Sequence, residues 1–174
     1  PVQPTADDTT VTTIAQGELV GSITDGGAHA WLGIPYAAAP IGELRWRAPR
    51  DAAAWAGRYE ALDGTRRCLQ YASEIEPGFE GGELAGSEDC LYLNVWTASA
   101  PDAPAPVMVW IHGGGLNNGT GAQVTYRGEA LAKRGAVVVT INYRLGPFGF
   151  LAHPLLSAED EHDSSGNYGV LDQI

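Results

Sequence analysis

Residues 107–115 read Val-Met-Val-Trp-Ile-His-Gly-Gly-Gly, an unbroken apolar stretch that runs straight into three glycines. Backbone N–H groups at such a strand end can cradle the negative charge that develops on a carbonyl oxygen during acyl transfer. Losing one donor of that kind costs roughly 3–4 kcal/mol. Glycine suits the task because no side chain blocks close approach and unusual φ angles become cheap. A triple glycine on its own reads as a flexible turn. Placed directly after an apolar strand, it reads better as an oxyanion hole formed by the Gly113-Gly114-Gly115 run. The reactive half of such a site is not present: no Gly-x-Ser-x-Gly nucleophile turn occurs among the 174 residues.

His112 sits next to these glycines, but a histidine at the end of a buried strand is more often a structural hydrogen-bonding residue than a general base. His29, His153 and His162 lack any partner pattern. Neither His-x3-His nor Cys-x2-Cys spacing occurs, so no metal is expected, and no phosphate-binding glycine loop with Lys-Ser or Lys-Thr is found. No cofactor is implied. Cys68 and Cys90 are two unrelated thiols in a reducing cytosol and a pair in a secreted protein.

The elements around the glycines follow an α/β pattern. Val107 to Ile111 is nearly all apolar, as expected for a strand covered on both faces. Glu129 to Lys133 reads as a short helix closed by Gly135, and Ala136 to Asn142 as a second strand buried on both sides. Strand, helix, strand with short links predicts an α/β sheet with right-handed crossovers. Upstream, Gly17 to Ile23 and His29 to Tyr36 alternate enough to be strands joined at Asp25-Gly26-Gly27. Residues 38–57 read as irregular, with buried Trp46 and Trp55. Residues 68–90 form a long loop, either functional or stapled. Leu91 to Thr97 is a strand, broken off by the prolines of 98–106. The first 10 residues are polar and expected to fray, and residues 1–13 to be disordered or extended. From Asn167 the chain opens as a capped helix, whose Val170, Leu171 and Ile174 begin an apolar stripe that does not complete. That pattern is expected of one piece of a nicked or truncated protein.

Composition narrows the functional classes. Apolar residues make up 44% and charged ones 18%, as in a globular protein, and no run is long and apolar enough to cross a bilayer. The formal net charge is −11 and no Lys/Arg run exceeds Arg66-Arg67. A phosphate backbone needs a positive stripe, so nonspecific nucleic-acid binding is excluded. The acidity is read as a solubility feature. The Thr-, Asp- and Pro-rich start without Met looks like a mature or trimmed terminus. It points to a secreted, extracellular or periplasmic protein.

Several segments together resemble a known family. They are Ile34-Pro35-Tyr36-Ala37, Leu44-Arg45-Trp46, Ser87-Glu88-Asp89-Cys90-Leu91-Tyr92-Leu93-Asn94-Val95 and Trp110-Ile111-His112-Gly113-Gly114-Gly115. Asn142-Tyr143-Arg144-Leu145-Gly146-Pro147-Phe148-Gly149-Phe150-Leu151 and Gly166-Asn167-Tyr168-Gly169-Val170-Leu171-Asp172-Gln173 follow in order. From about Gly17 onward the chain is similar to the N-terminal third of a type-B carboxylesterase, the cholinesterase/carboxylesterase branch of the α/β-hydrolase fold. The resemblance implies one incomplete catalytic domain over residues 1–174. Small antiparallel N-terminal strands would precede the first strands and helices of a central, mostly parallel sheet. It implies a serine acyl-enzyme mechanism on a small-molecule carboxylic ester. Gly114 and Gly115 would supply two of three oxyanion donors. The serine, acid and histidine would lie in downstream polypeptide, possibly a separate chain, and residues 1–174 alone would be inactive.

The resemblance also implies a disulfide between Cys68 and Cys90, closing a gorge-rim loop and worth on the order of 3 kcal/mol. It implies ion pairs Arg45 with Glu88 and Arg144 with Asp172, both structural. Two departures stand out. Leu69 to Asp89 contains no tryptophan of the kind that stacks on choline in cholinesterases, which counts against a choline ester. Leu116 stands where relatives more often carry an aromatic residue, which implies a wider or more aliphatic pocket. Asn117, Asn118 and Thr120 would line the entrance. The alternative reading is a non-catalytic, cholinesterase-like adhesion or binding domain. A nucleophile turn after Gln173, or its replacement by glycine, would separate the two.

Overall fold

The computed structural model describes residues 4–72, 82–98 and 104–174. Five short strands come first: β1 (Thr12–Ile14), β2 (Gly17–Val20), β3 (Ser22–Ile23), β4 (His29–Pro35) and β5 (Arg58–Glu60). Then come β6 (Gln70–Tyr71), β7 (Leu84–Ala85), β8 (Tyr92–Thr97), β9 (Val107–Ile111) and β10 (Val137–Ile141). The helices are α1 (Glu129–Ala132), α2 (Gly146–Phe150), α3 (Pro154–Ser157) and α4 (Tyr168–Leu171). The main sheet has the order β3-β4-β8-β10-β9, and a small sheet has the order β1-β2-β5. β9 and β10 are parallel, with α1 in the connection between them, while β3/β4, β4/β8 and β8/β10 are antiparallel. Among the described residues the parallel part of the main sheet is thus one pair, and its other pairings are antiparallel.

Two packed layers hold the sheet in place. On one face, Leu19, Ile34 and Ala61 are buried together with Trp31, Trp55, Tyr59, Leu93 and Val95, joining the small sheet to β4 and β8. On the other, Ala30 and Trp96 bury against Ala132 of α1, with Leu32 alongside. Ile34 and Trp31 can share a face because the β4/β8 register shifts between Leu32 and Ile34, and one extra residue in a strand inverts the alternation after it. A third cluster, Ala37, Cys68, Cys90, Leu91, Tyr143 and Leu145, lies under the ends of β8 and β10.

Several expectations are corrected by the packing. Gly17 to Ile23 is two strands, because the chain leaves the small sheet at Gly21 and joins the main one as β3. The polar start does not fray from Asp7 on. Asp7 caps a 3-10 turn over Asp8–Thr10, and Thr10 is buried, accepting from the Gly21 amide and donating its hydroxyl to the Asp7 carbonyl. Trp46 and Trp55 are half-buried rather than buried. The 68–90 loop carries a two-stranded ladder, β6 with β7; its residues 73–81, and residues 99–103 of the proline break, lie outside the described residues. Asn167 precedes α4 but its side chain makes no cap.

The largest correction concerns β9. Its residues are 45–62% exposed, and among the described residues its partner in the sheet is β10 alone. An all-apolar strand was expected to be covered on both faces, yet here it forms an open edge. Apolar content states that a strand belongs in a core; it does not state that the covering elements belong to the same stretch of polypeptide.

Candidate active site

The parallel strands β9 and β10 end at the same edge of the sheet, and both continue into glycine-containing turns. Ligands of α/β sheets bind beyond the carboxyl ends of parallel strands. β9 delivers His112, which is 3% exposed. Its ring stacks on Tyr143 with centroids 4.5 Å apart, and its Nδ1 lies 2.9 Å from the Gly113 carbonyl oxygen. A carbonyl can only accept, so Nδ1 carries the proton. The Tyr143 hydroxyl donates to the His112 carbonyl at 2.9 Å. These contacts lock His112 as the pedestal of the loop that follows.

That loop turns back on itself. The amides of Asn117 and Asn118 both donate to the Gly114 carbonyl at 3.2 Å, and the Asn117 side-chain amide donates to the Gly115 carbonyl at 3.1 Å. The carbonyls of Gly114 and Gly115 are therefore engaged. Among the described residues their N–H groups donate to no protein acceptor, and Gly113 through Leu116 are exposed. Gly114 has φ +129° and its Cα rests on the Asn118 carbonyl, so a Cβ there would collide with backbone. Leu116 adopts φ +63°, unusual for a branched side chain. Its carbonyl accepts from the Gly146 amide at 2.7 Å, tying the loop to the start of α2.

Behind the loop lies a buried polar frame that sequence reasoning missed. Gln70, 4% exposed, accepts from the Gly119 amide at 2.7 Å and donates to the Gly119 carbonyl at 2.8 Å. Asn142, at the end of β10, accepts from the Gly121 amide at 2.9 Å and donates to the Arg66 carbonyl at 2.8 Å. Thr140 donates to the Gly121 carbonyl at 2.8 Å. Thr120 does not line an entrance: it is 1% exposed, bonded to Asn142 and to the Arg66 carbonyl. Asn117 is exposed and Asn118 half-buried. A polar residue ending an apolar strand was the available signal for Asn142.

Cys68 and Cys90 are disulfide-bonded, with Cα atoms 4.8 Å apart. Arg144 and Asp172 form a bidentate pair at 2.8 and 2.7 Å, both buried, and Asp172 also accepts from the Arg144 amide at 2.9 Å. This pair fixes α4 to the turn after β10. Arg45 meets Glu88 through two hydrogen bonds, one of 2.6 Å, in a half-exposed setting. The bond to Glu88 raises the Arg45 pKa further above its ordinary value. Burial raises that of Tyr36, whose hydroxyl donates to the Asn142 carbonyl at 2.6 Å. Tyr92 is pushed up to about 12 by burial and by Asp89. None of these groups is poised for proton transfer near neutrality. Among the described residues, no cluster of His, Cys, Asp or Glu could hold a metal ion, and no helix is long and apolar enough to cross a membrane.

Residues 7–174 match the model of the carboxylesterase family. The chain is 47% identical to a fumonisin B1 esterase of Sphingopyxis macrogoltabida over 176 aligned residues, all of this chain and 32% of that protein. It is 41% identical to a mouse (Mus musculus) cholinesterase over 87% of this chain and 25% of that one. A solved carboxylesterase of Geobacillus stearothermophilus, at pH 6.2, superposes with a TM-score of 0.81 at 42% identity. It covers 94% of this chain and 32% of its own. A PNB esterase structure gives a TM-score of 0.82 at 40% identity, over 95% of this chain and 33% of its own. The chain spans about a quarter to a third of the length of these relatives.

Proposed function

As the chain belongs to the carboxylesterase family, we propose that it carries the oxyanion-stabilising part of a serine carboxylic-ester hydrolase with an α/β-hydrolase fold. The observation that carries this reading is the pair of uncommitted amides at Gly114 and Gly115, at the carboxyl end of β9, with their own carbonyls held by the turn. A serine from polypeptide outside residues 1–174 attacks the ester carbonyl, aided by a histidine and an acid from that same polypeptide. The carbonyl oxygen becomes an anion, and the two amides stabilise it without reorganising. The alkoxide leaves with a proton, and water then releases the acid through a second tetrahedral state on the same amides. Gly113 and the exposed side chain of Leu116 border the acyl site and give it an aliphatic wall.

The substrate is a small carboxylic ester. The 47% identity to a fumonisin B1 esterase supports ester hydrolysis, and the lack of tryptophan in Leu69 to Asp89 argues against choline as the alcohol. The rest of the fold covers β9 and the exposed residues of α4. The Cys68–Cys90 bond suits an oxidising compartment, hence a secreted or periplasmic protein; recovery of the activity only from reducing cytosol would overturn that placement. A fluorophosphonate probe on the complete protein tests the mechanism. One covalent adduct, on serine, is expected, and an intact protein that takes up none is no serine esterase.

A further inference from the structure

We infer that Gln70 is a positioning residue for the oxyanion amides, acting through Gly119, and that it joins the disulfide-closed rim to the catalytic loop. The inference rests on the esterase reading above. Its basis is the completeness of the contact. A primary amide has two N–H donors and one carbonyl. In Gln70 the Nε2 donates to the carbonyls of Gly119, at 2.8 Å, and Cys68, at 2.9 Å, while Oε1 accepts from the Gly119 amide at 2.7 Å. Both donors and the carbonyl are used on backbone, so the side chain is held as rigidly as a rung of a β-ladder. Both N–H donors are spent and the residue is 4% exposed, so the side chain is not placed to touch a substrate.

Gly119 passes that position on. It has φ +115°, and a Cβ there would collide with the Gly113 carbonyl and with Nδ1 of His112, so its backbone lies directly against the start of the glycine run. Asn118, its neighbour, presses its carbonyl against the Cα of Gly114. From Gly119 to Gly114 the path runs through the backbone of residues 118 and 119, with the buried His112 ring and the Asn118 side chain packed beside it. On the other side, Gln70 lies two residues from Cys68, which bridges Ser87 and is bonded to Cys90. Oxyanion stabilisation depends on donors already in place, and misplacement by about 1 Å can cost on the order of 100-fold in rate. A side chain that fixes Gly119 therefore acts on kcat without contacting the reacting atoms.

The test uses the complete protein, a p-nitrophenyl ester, and a trifluoromethyl ketone that forms a tetrahedral anion on a catalytic serine. Gln70→Met keeps the side-chain length and removes all three hydrogen bonds. It is expected to lower kcat about 10- to 100-fold, to leave KM within about threefold, and to weaken the ketone in step with kcat/KM. The number of sites titrated by fluorophosphonate should stay at the wild-type value. Gln70→Glu retains the acceptor for the Gly119 amide and should fall between wild type and Gln70→Met. It also carries the comparison if Gln70→Met does not fold. Wild-type kcat in either folded variant overturns the inference. So does a kcat loss matched by lost titratable sites, with unchanged ketone affinity in those that remain, since that is a folding defect alone. A wild-type protein blank in both assays fails at the esterase reading itself, before any Gln70 variant is compared.

Discussion

At Gly114 the backbone leaves no space for a side chain: φ is +129° and the Asn118 carbonyl occupies the place of a Cβ. Gly114→Ala must move the loop, and with it the amides of residues 114 and 115. For the complete protein the expected result is a kcat lowered about 100- to 1000-fold on a p-nitrophenyl ester, the loss seen when an oxyanion donor is removed. Because Gly114 is exposed and lies outside the core clusters, the thermal midpoint should shift far less than for a core substitution. A near-normal kcat would show that these amides do not face the reacting oxygen. The two arginine–carboxylate pairs separate by burial. Arg144→Ala leaves the Asp172 carboxylate, inaccessible to water, without its guanidinium, and should destabilise by about 3–5 kcal/mol in denaturant titration. Arg45→Ala opens a pair that water already reaches and should cost far less than Arg144→Ala. Equal losses at the two sites would contradict the burial argument.

Among the elements, β6 and β7 pair within the disulfide-closed segment, and Cys68 bridges Ser87. Double substitution Cys68→Ser and Cys90→Ser should lower stability by about 3 kcal/mol through the freed loop, and should make residues 68–90 the first site of limited proteolysis. Unchanged proteolysis would mean that the ladder holds the rim without the bond. The long strands β4, β8, β9 and β10 were legible in sequence because each is an apolar or alternating run with glycine or proline at its ends. The glycine loop was legible because few other roles suit three glycines after such a strand. β1, β5, β6 and β7 were not, because strands of two or three residues carry no periodicity; their pairing is decided by tertiary contacts. Gln70 was equally hidden. Its partner Gly119 lies 49 residues away, and a side chain that bonds only to backbone imposes no residue type on the other end. Thr120 was misread as a rim residue for the same reason: its burial depends on Asn142 and Arg66, which local sequence does not reveal.

For the molecule as a whole, the unequal burial of the sheet is the decisive feature. β4, β8 and β10 are the interior strands of the main sheet, and the small sheet and α1 pack on β4 and β8. β9 at the far edge is open, with Trp110 46% exposed against Tyr126. Val170, Leu171 and Ile174 are also exposed, Ile174 by 97%. An edge strand of five apolar residues, paired on one side by β10 and open on the other among the described residues, is a template for pairing with another copy. The net charge of −11 opposes association through self-repulsion. That repulsion is screened beyond about 8 Å at physiological salt, while apolar contact is not. Residues 1–174 expressed alone should therefore associate, and increasingly so as salt is raised, as read by light scattering after size-exclusion chromatography. They should also show no esterase-level turnover of a p-nitrophenyl ester, because two oriented amides supply neither nucleophile nor base, and an oxyanion hole without its triad retains only about 10³–10⁴-fold over water. A monomeric, salt-indifferent segment would mean that β9 finds cover within the chain, and ester turnover by that segment would place the nucleophile inside it.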